Sequence, residues 1–90
     1  MNDALARHIG RRMRHRRRLL ELTQADIGHS CGCSFQTIHK YEMGAIQISA
    51  AALYALSRVL EVPTTYFFEG FERCHRDSAE GAPDHGAAAA

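Results

Sequence analysis

No tryptophan occurs among these 90 residues, proline occurs twice and cysteine three times. Three cysteines are an odd number, and Cys31 and Cys33 stand too close in sequence to close a useful loop. No disulfide framework is expected, and the thiols should be reduced. No apolar run reaches the length of a membrane span. Arginines from Arg7 to Arg18 interrupt the segment where a signal peptide needs its apolar stretch, so the cytoplasm is the expected compartment. Alternating apolar and polar residues are missing, as is any internal repeat, which leaves an all-α domain. Neither a glycine-rich phosphate loop nor a nucleophile, base and oxyanion set can be assembled, so neither an enzyme nor a cofactor is expected. His29, Cys31 and Cys33 have the elements of a metal site, but alternate residues of a helix point apart and no second Cys or His pair completes it. No metal is expected.

What is abundant is arginine, unevenly placed. Residues 1–48 hold eight basic residues against four acidic ones, a balance of +4, whereas residues 49–90 hold three against six, a balance of −3. Attraction to a polyanion is therefore confined to the first half. The last stretch, residues 73–90, has no apolar period and ends in four alanines. It reads as a disordered tail after a single domain over residues 1–72. About seventy residues make a marginal core, for which dimerisation is a common source of extra stability.

Helix 1 is expected from Asn2 or Asp3 to about Leu20 or Glu21, with Leu5, Ile9, Met13 and Leu20 on one face. Arg17 falls on that same stripe. A buried guanidinium needs a partner, since an uncompensated charge costs several kcal/mol. Glu42 is the acid best placed to supply one, so an Arg17–Glu42 ion pair is expected. Arg11, Arg12, Arg14, Arg16 and Arg18 should be mostly solvated.

From residue 23 to 43 the spacing reads as a helix-turn-helix. Thr23 with Asp26 forms a capping box, which sets Gln24 at a helix start, a natural anion site. Ile27, Gly28, Cys31, Ile38 and Tyr41 fall where two helices must touch, and Gly32 sits where the chain reverses. Ser34 caps the second helix and Gly44 suits its left-handed end. Gln36, Thr37, His39 and Lys40 arm the outward face with groups suited to base edges and phosphates in a DNA major groove. Ser49 opens a fourth helix, with Ala52, Leu53, Leu56, Val59 and Leu60 as its apolar stripe and Pro63 as its stop. Val62, Tyr66, Phe67 and Phe68 supply a short fifth. Phe67 and Phe68 are expected in the core, and Ile46, Tyr66 and Phe71 suit either the core or a dimer surface.

These residues resemble the Cro and phage-repressor-like helix-turn-helix regulators, the xenobiotic-response-element family. The resemblance covers roughly residues 8 to 70. It rests on His8-Ile9-Gly10-Arg11-Arg12-Met13-Arg14, on Thr23-Gln24, on Phe35 to Gly44, and on Leu53 to Pro63 followed by Tyr66-Phe67-Phe68. The Lys40-Tyr41-Glu42-x-Gly44 stretch and the aromatic ending look most like an alphaproteobacterial branch. The resemblance implies a compact five-helix, lambda-repressor-like domain that binds DNA. It carries the phosphate-binding glutamine onto Gln24, the base contacts onto Phe35, Gln36, Thr37, His39 and Lys40, and the internal ion pair onto Arg17 and Glu42. Thr23, Ser34, Arg14 and Arg18 complete the expected phosphate contacts. The branch usually has polar and basic residues where this chain has Ile46 and Gln47, and often an arginine at Ala52, so two phosphate contacts have no counterpart here.

The expected function is sequence-specific binding of double-stranded DNA by a homodimer on a pseudopalindromic operator, with repression favoured over activation. Repression needs only occupancy, and activation needs a patch for RNA polymerase. Bound to DNA, such a protein sits on the bacterial nucleoid. The alternative is an antitoxin-type interaction module with autoregulatory DNA binding. A second rival, RNA binding or nucleoid coating, would show little sequence preference.

Overall fold

The computed structural model describes residues 3–71. The expected tail at 73–90 and the Asn2 cap lie outside the described residues. Among the described residues there are four α-helices, α1 (Asp3–Leu19), α2 (Gln24–Cys31), α3 (Phe35–Met43) and α4 (Ala50–Leu60), followed by a 3-10 segment, Thr64–Phe68. The expected fifth α-helix is thus corrected to a 3-10 turn. It begins at Pro63, which makes no side-chain cap, and spans five β-branched and aromatic residues, too few to repay helix nucleation. Helix α1 also stops earlier than expected, because Glu21 takes the left-handed conformation at φ 60°.

The amino-terminal caps of α2, α3 and α4 form as their local sequence dictates. Thr23 accepts from the Asp26 N–H at 3.0 Å, and Asp26 returns the bond to the Thr23 N–H at 2.9 Å. Ser34 accepts from the Thr37 N–H and Ser49 from the Ala52 N–H. Gly32 reverses the chain between α2 and α3 at φ 75°, a conformation that costs L side chains roughly 1 kcal/mol or more.

Met13, Ile27, Ile38, Leu56, Leu60 and Phe67 form the fully buried core, drawn from all four helices and the 3-10 segment. Burying each such side chain contributes about 1.5–3 kcal/mol. Around it pack Ile9, Leu20, Leu22, Cys31, Tyr41 and Leu53. Helices α1 and α3 approach so closely at Gly10 that a Cβ there would overlap the main-chain oxygens of Tyr41 and Glu42. Phe68, expected in the core, is instead 41% exposed. Successive side chains of a 3-10 helix diverge by a third of a turn, so with Phe67 pointing inward its neighbour is carried out.

The arginines of α1 divide into two sets. Arg11, Arg14 and Arg18 are exposed, as expected, but Arg12 and Arg16 are half-buried. With His8 they form a row at four-residue spacing that faces the carboxyl end of the domain. The His8 Nε2–H donates to the Glu69 carbonyl at 2.7 Å, Arg12 Nε to the Tyr66 carbonyl at 2.9 Å, and Arg16 Nε to the Leu60 carbonyl at 2.8 Å. The Arg12 guanidinium also lies 3.9 Å over the Tyr66 ring and bonds Glu69 Oε1 at 2.8 Å. These carbonyls lie at the ends of α4 and the 3-10 segment, where few intrahelical N–H donors remain to reach them. That is why two arginines expected in solvent are drawn inward.

The hydrogen bonds from Thr23 hold the Asp26 carboxyl below its ordinary pKa. A group depressed on folding adds stability that is present above its unfolded pKa and lost as pH falls through the folded one. Wild type should therefore be more stable than Asp26→Ala at neutral pH, with the gap shrinking steadily below the usual carboxylate range. Urea titrations of both proteins from neutral to strongly acidic pH check this; a gap independent of pH would refute it.

Candidate nucleic-acid interface

Helix α3 has an inner and an outer side. Ile38 is fully buried, Glu42 is 5% exposed, and Tyr41 packs against the core. Phe35, at 52% exposure, and Gln36, His39, Lys40 and Met43 are all exposed. Four of the five residues expected to meet bases are thus exposed on one side. Thr37 is half-buried, and its hydroxyl lies 3.2 Å from that of Ser34. The outward exposure of Met43 had no separate signal, since an apolar residue at a helix end reads equally as core.

The inner side is held by charge as well as by apolar packing. Arg17 grips Glu42 with two parallel bonds, Nε to Oε2 at 2.6 Å and Nη2 to Oε1 at 2.9 Å, and its Nη1 donates to the Leu22 carbonyl at 3.0 Å. This is the pair expected from the sequence. Both side chains are largely buried, at 12% and 2% exposure. Hydrogen bonding to Glu42 holds the guanidinium above its ordinary pKa against the opposing effect of burial. A third donor reaches the same carboxylate from α2: Gln24 Nε2 donates to Glu42 Oε1 at 3.0 Å and also lies 3.3 Å from His39 Nδ1. Sequence reasoning places Gln24 at a helix start facing phosphate but does not reveal that its amide bridges to α3.

Thr23 and Ser34 are exposed at the amino ends of α2 and α3, where first-turn N–H groups have no intrahelical acceptor. Arg14 and Arg18 are exposed on α1 and share one stripe with Arg7 and Arg11, which the sequence reading left out. The 4-3-4 spacing of these four arginines was the available signal. The stripe borders α3, since Arg7 abuts Gly44 and Gly10 abuts Tyr41 and Glu42.

Among the described residues no group of three His, Cys, Asp or Glu side chains is placed to hold a metal ion, and no helix is long and apolar enough to cross a membrane. Burial pushes the Cys31 thiol up, with the nearby Cys33 adding to the effect, so a small core residue is the better description than a reactive thiolate.

Removing one partner of the buried pair strands the other charge. Glu42→Ala should lose about 3–5 kcal/mol of stability, whereas Glu69→Ala, which removes an acid with 60% side-chain exposure and leaves the main-chain bond of Arg12 in place, should lose far less. Chemical denaturation of the two variants side by side checks the ranking, and equal losses would contradict it.

Comparison with known proteins matches the helix-turn-helix family to residues 13–67. The chain is 38% identical over 82 residues to an uncharacterised HTH-type transcriptional regulator of Sinorhizobium fredii, covering 91% of this chain and 57% of that protein. It is 47% identical over 66 residues to an uncharacterised transcriptional regulator in the ATPase CF(0) region of Rhodospirillum rubrum, covering 73% and 61%. An uncharacterised HTH-type transcriptional regulator of Sinorhizobium medicae is 44% identical over 62 residues, covering 69% and 45%. The chain spans about half the length of these relatives.

Proposed function

Because the chain belongs to the helix-turn-helix family, whose relatives above are named transcriptional regulators, we propose that it binds double-stranded DNA sequence-specifically and regulates transcription. The observation that carries this reading is the two-sidedness of α3. Its inner residues Ile38 and Glu42 are locked into the globule while Phe35, Gln36, His39 and Lys40 stand exposed together. A nine-residue helix so presented fits a major groove about 12 Å wide.

In this reading Gln36 bonds N6 and N7 of an adenine, and Phe35 offers its ring to a thymine methyl. Thr37 and His39 contribute further contacts, and Lys40 reaches both base edges and backbone. The amino ends of α2 at Thr23 and Gln24 and of α3 at Ser34 meet phosphates, and Arg14 and Arg18 add attraction from α1. Such contacts set register without conveying sequence.

One module supplies few base contacts, so a two-fold dimer on half-sites about 34 Å apart is the assembly we propose. Ile46 and Phe68 expose apolar surface beside a groove of about 270 Å³ that also contacts Leu5, Ile9, Ile48 and Leu53. This groove is the proposed dimer face, and sedimentation at micromolar concentration is its check. Repression is preferred to activation, because occupancy of an operator suffices for it while activation needs an added patch for RNA polymerase.

Gln36→Ala should relax selectivity at one base pair by about 1–3 kcal/mol, and Lys40→Ala should weaken binding to all duplexes and lower the salt slope by about one. Selection from a randomised duplex pool, followed by titrations at several salt concentrations, measures both. Unchanged site preference in Gln36→Ala would overturn the assignment, and equal affinity for unrelated duplexes would overturn sequence-specific binding.

A further inference from the structure

The Gln24 amide is surrounded in a way that fixes more than its own position. Its nitrogen lies 3.0 Å from Glu42 Oε1 and 3.3 Å from His39 Nδ1. Glu42 accepts two bonds from Arg17 and is therefore an ionised acceptor with no proton to offer. Turning the amide over would set its oxygen against a carboxylate oxygen, so the nitrogen must face Glu42. An amide nitrogen carries two hydrogens and accepts nothing. With one hydrogen on Glu42, the other points to His39 Nδ1, which has to accept it. A neutral imidazole that accepts at Nδ1 carries its proton on Nε2.

We infer that Gln24 is a positioning residue that sets the tautomer of His39, so that the exposed ring offers a hydrogen-bond donor to the DNA and selects a base-edge acceptor. The inference deepens the DNA-binding reading and rests on it. The chain of bonds runs from Arg17 on α1 through Glu42 on α3 and Gln24 on α2 back to His39 on α3. His39 and Glu42 are three residues apart and share one flank of α3, so one side chain from the first turn of α2 reaches both. The consequence is chemical. A ring with Nε2–H matches purine N7, guanine O6 or thymine O4, and mismatches the N4 amino group of cytosine. A ring with the opposite tautomer would prefer an amino group. A buried ion pair thus sets which class of base edge the outer surface reads. Because both amide hydrogens are spent within the protein, the part of Gln24 free to meet a phosphate is its main-chain N–H at the start of α2.

Long-range proton–nitrogen spectra of the His39 ring in the DNA-free protein, recorded at alkaline pH with the ring neutral, test the tautomer directly. Site selection from a randomised duplex pool tests its consequence. Wild type should show a protonated Nε2, a hydrogen-bonded Nδ1 and a preference of about tenfold for an acceptor-bearing base at one position. Gln24→Met, similar in length but with no donor, should free Nδ1 and reduce that preference to about twofold or less, with the other positions unchanged, whatever its effect on overall affinity. Gln24→Glu, which turns the donor into an acceptor, should move the proton to Nδ1 and shift the choice toward an amino-bearing base. A wild-type ring protonated at Nδ1, or a Gln24→Met ring and site preference indistinguishable from wild type, would overturn the inference even if Gln24→Glu does not fold. Failure of DNA reading itself has a different signature: the ring spectra follow expectation, yet wild type selects no duplex, which removes the base-reading role together with the function it rests on.

Discussion

The carboxylate of Glu42 accepts three hydrogen bonds in the interior, two from Arg17 and one from Gln24, and through them three helices share one anchor. A charge taken out of water in this way is costly unless its partner is equally well placed. The geometry therefore tolerates little drift: α1 must bring Arg17 level with the last turn of α3, and α2 must start where Gln24 can reach. Gly10 enforces the same registry from the other direction, since any side chain there would push α3 away. The pose of α3, and hence the direction of its outer residues, follows from these constraints more than from apolar packing, which is non-directional.

The distribution of positive charge extends the argument. Seven arginines precede the turn into α2, and a count alone would treat them as one basic patch. Arg17 serves the buried pair, Arg12 and Arg16 hold main-chain oxygens of the last elements, and Arg7, Arg11, Arg14 and Arg18 stay in solvent along one stripe. Only the last four are available to a polyanion. Net charge therefore overstates the basic surface, and helical spacing corrects it.

Features whose partners lie within three or four residues were legible in the sequence. The Thr23–Asp26 box, the Ser34 and Ser49 caps and the glycine ends at Gly32 and Gly44 all depend on local chemistry. Arg17 with Glu42 was legible for another reason: a charge on an apolar stripe demands an opposite one. The row formed by His8, Arg12 and Arg16 was not, because its acceptors are backbone carbonyls, and every residue has one. Phe68 escaped because composition does not say which of two adjacent aromatics faces inward, and neighbours on a helical turn diverge by about a third of a turn. The Gln24 contact to His39 escaped because it depends on the angle between α2 and α3, which apolar spacing constrains only loosely.

A side chain that grips main-chain oxygens is indifferent to which amino acids carry them. The closing segment of the domain, from Leu60 to Glu69, is fastened to α1 at three main-chain oxygens, and at each the fastening group is an α1 side chain. At position 69, whose side chain is exposed, a substitution gives up the ion pair to Arg12 but leaves the main-chain bonds in place, whereas Leu60 is also core, Tyr66 also carries the Arg12 stack, and the identities at 8, 12 and 16 are not interchangeable. The burden of specifying this join thus falls mainly on α1, which leaves the exposed positions of the closing segment open to diversification.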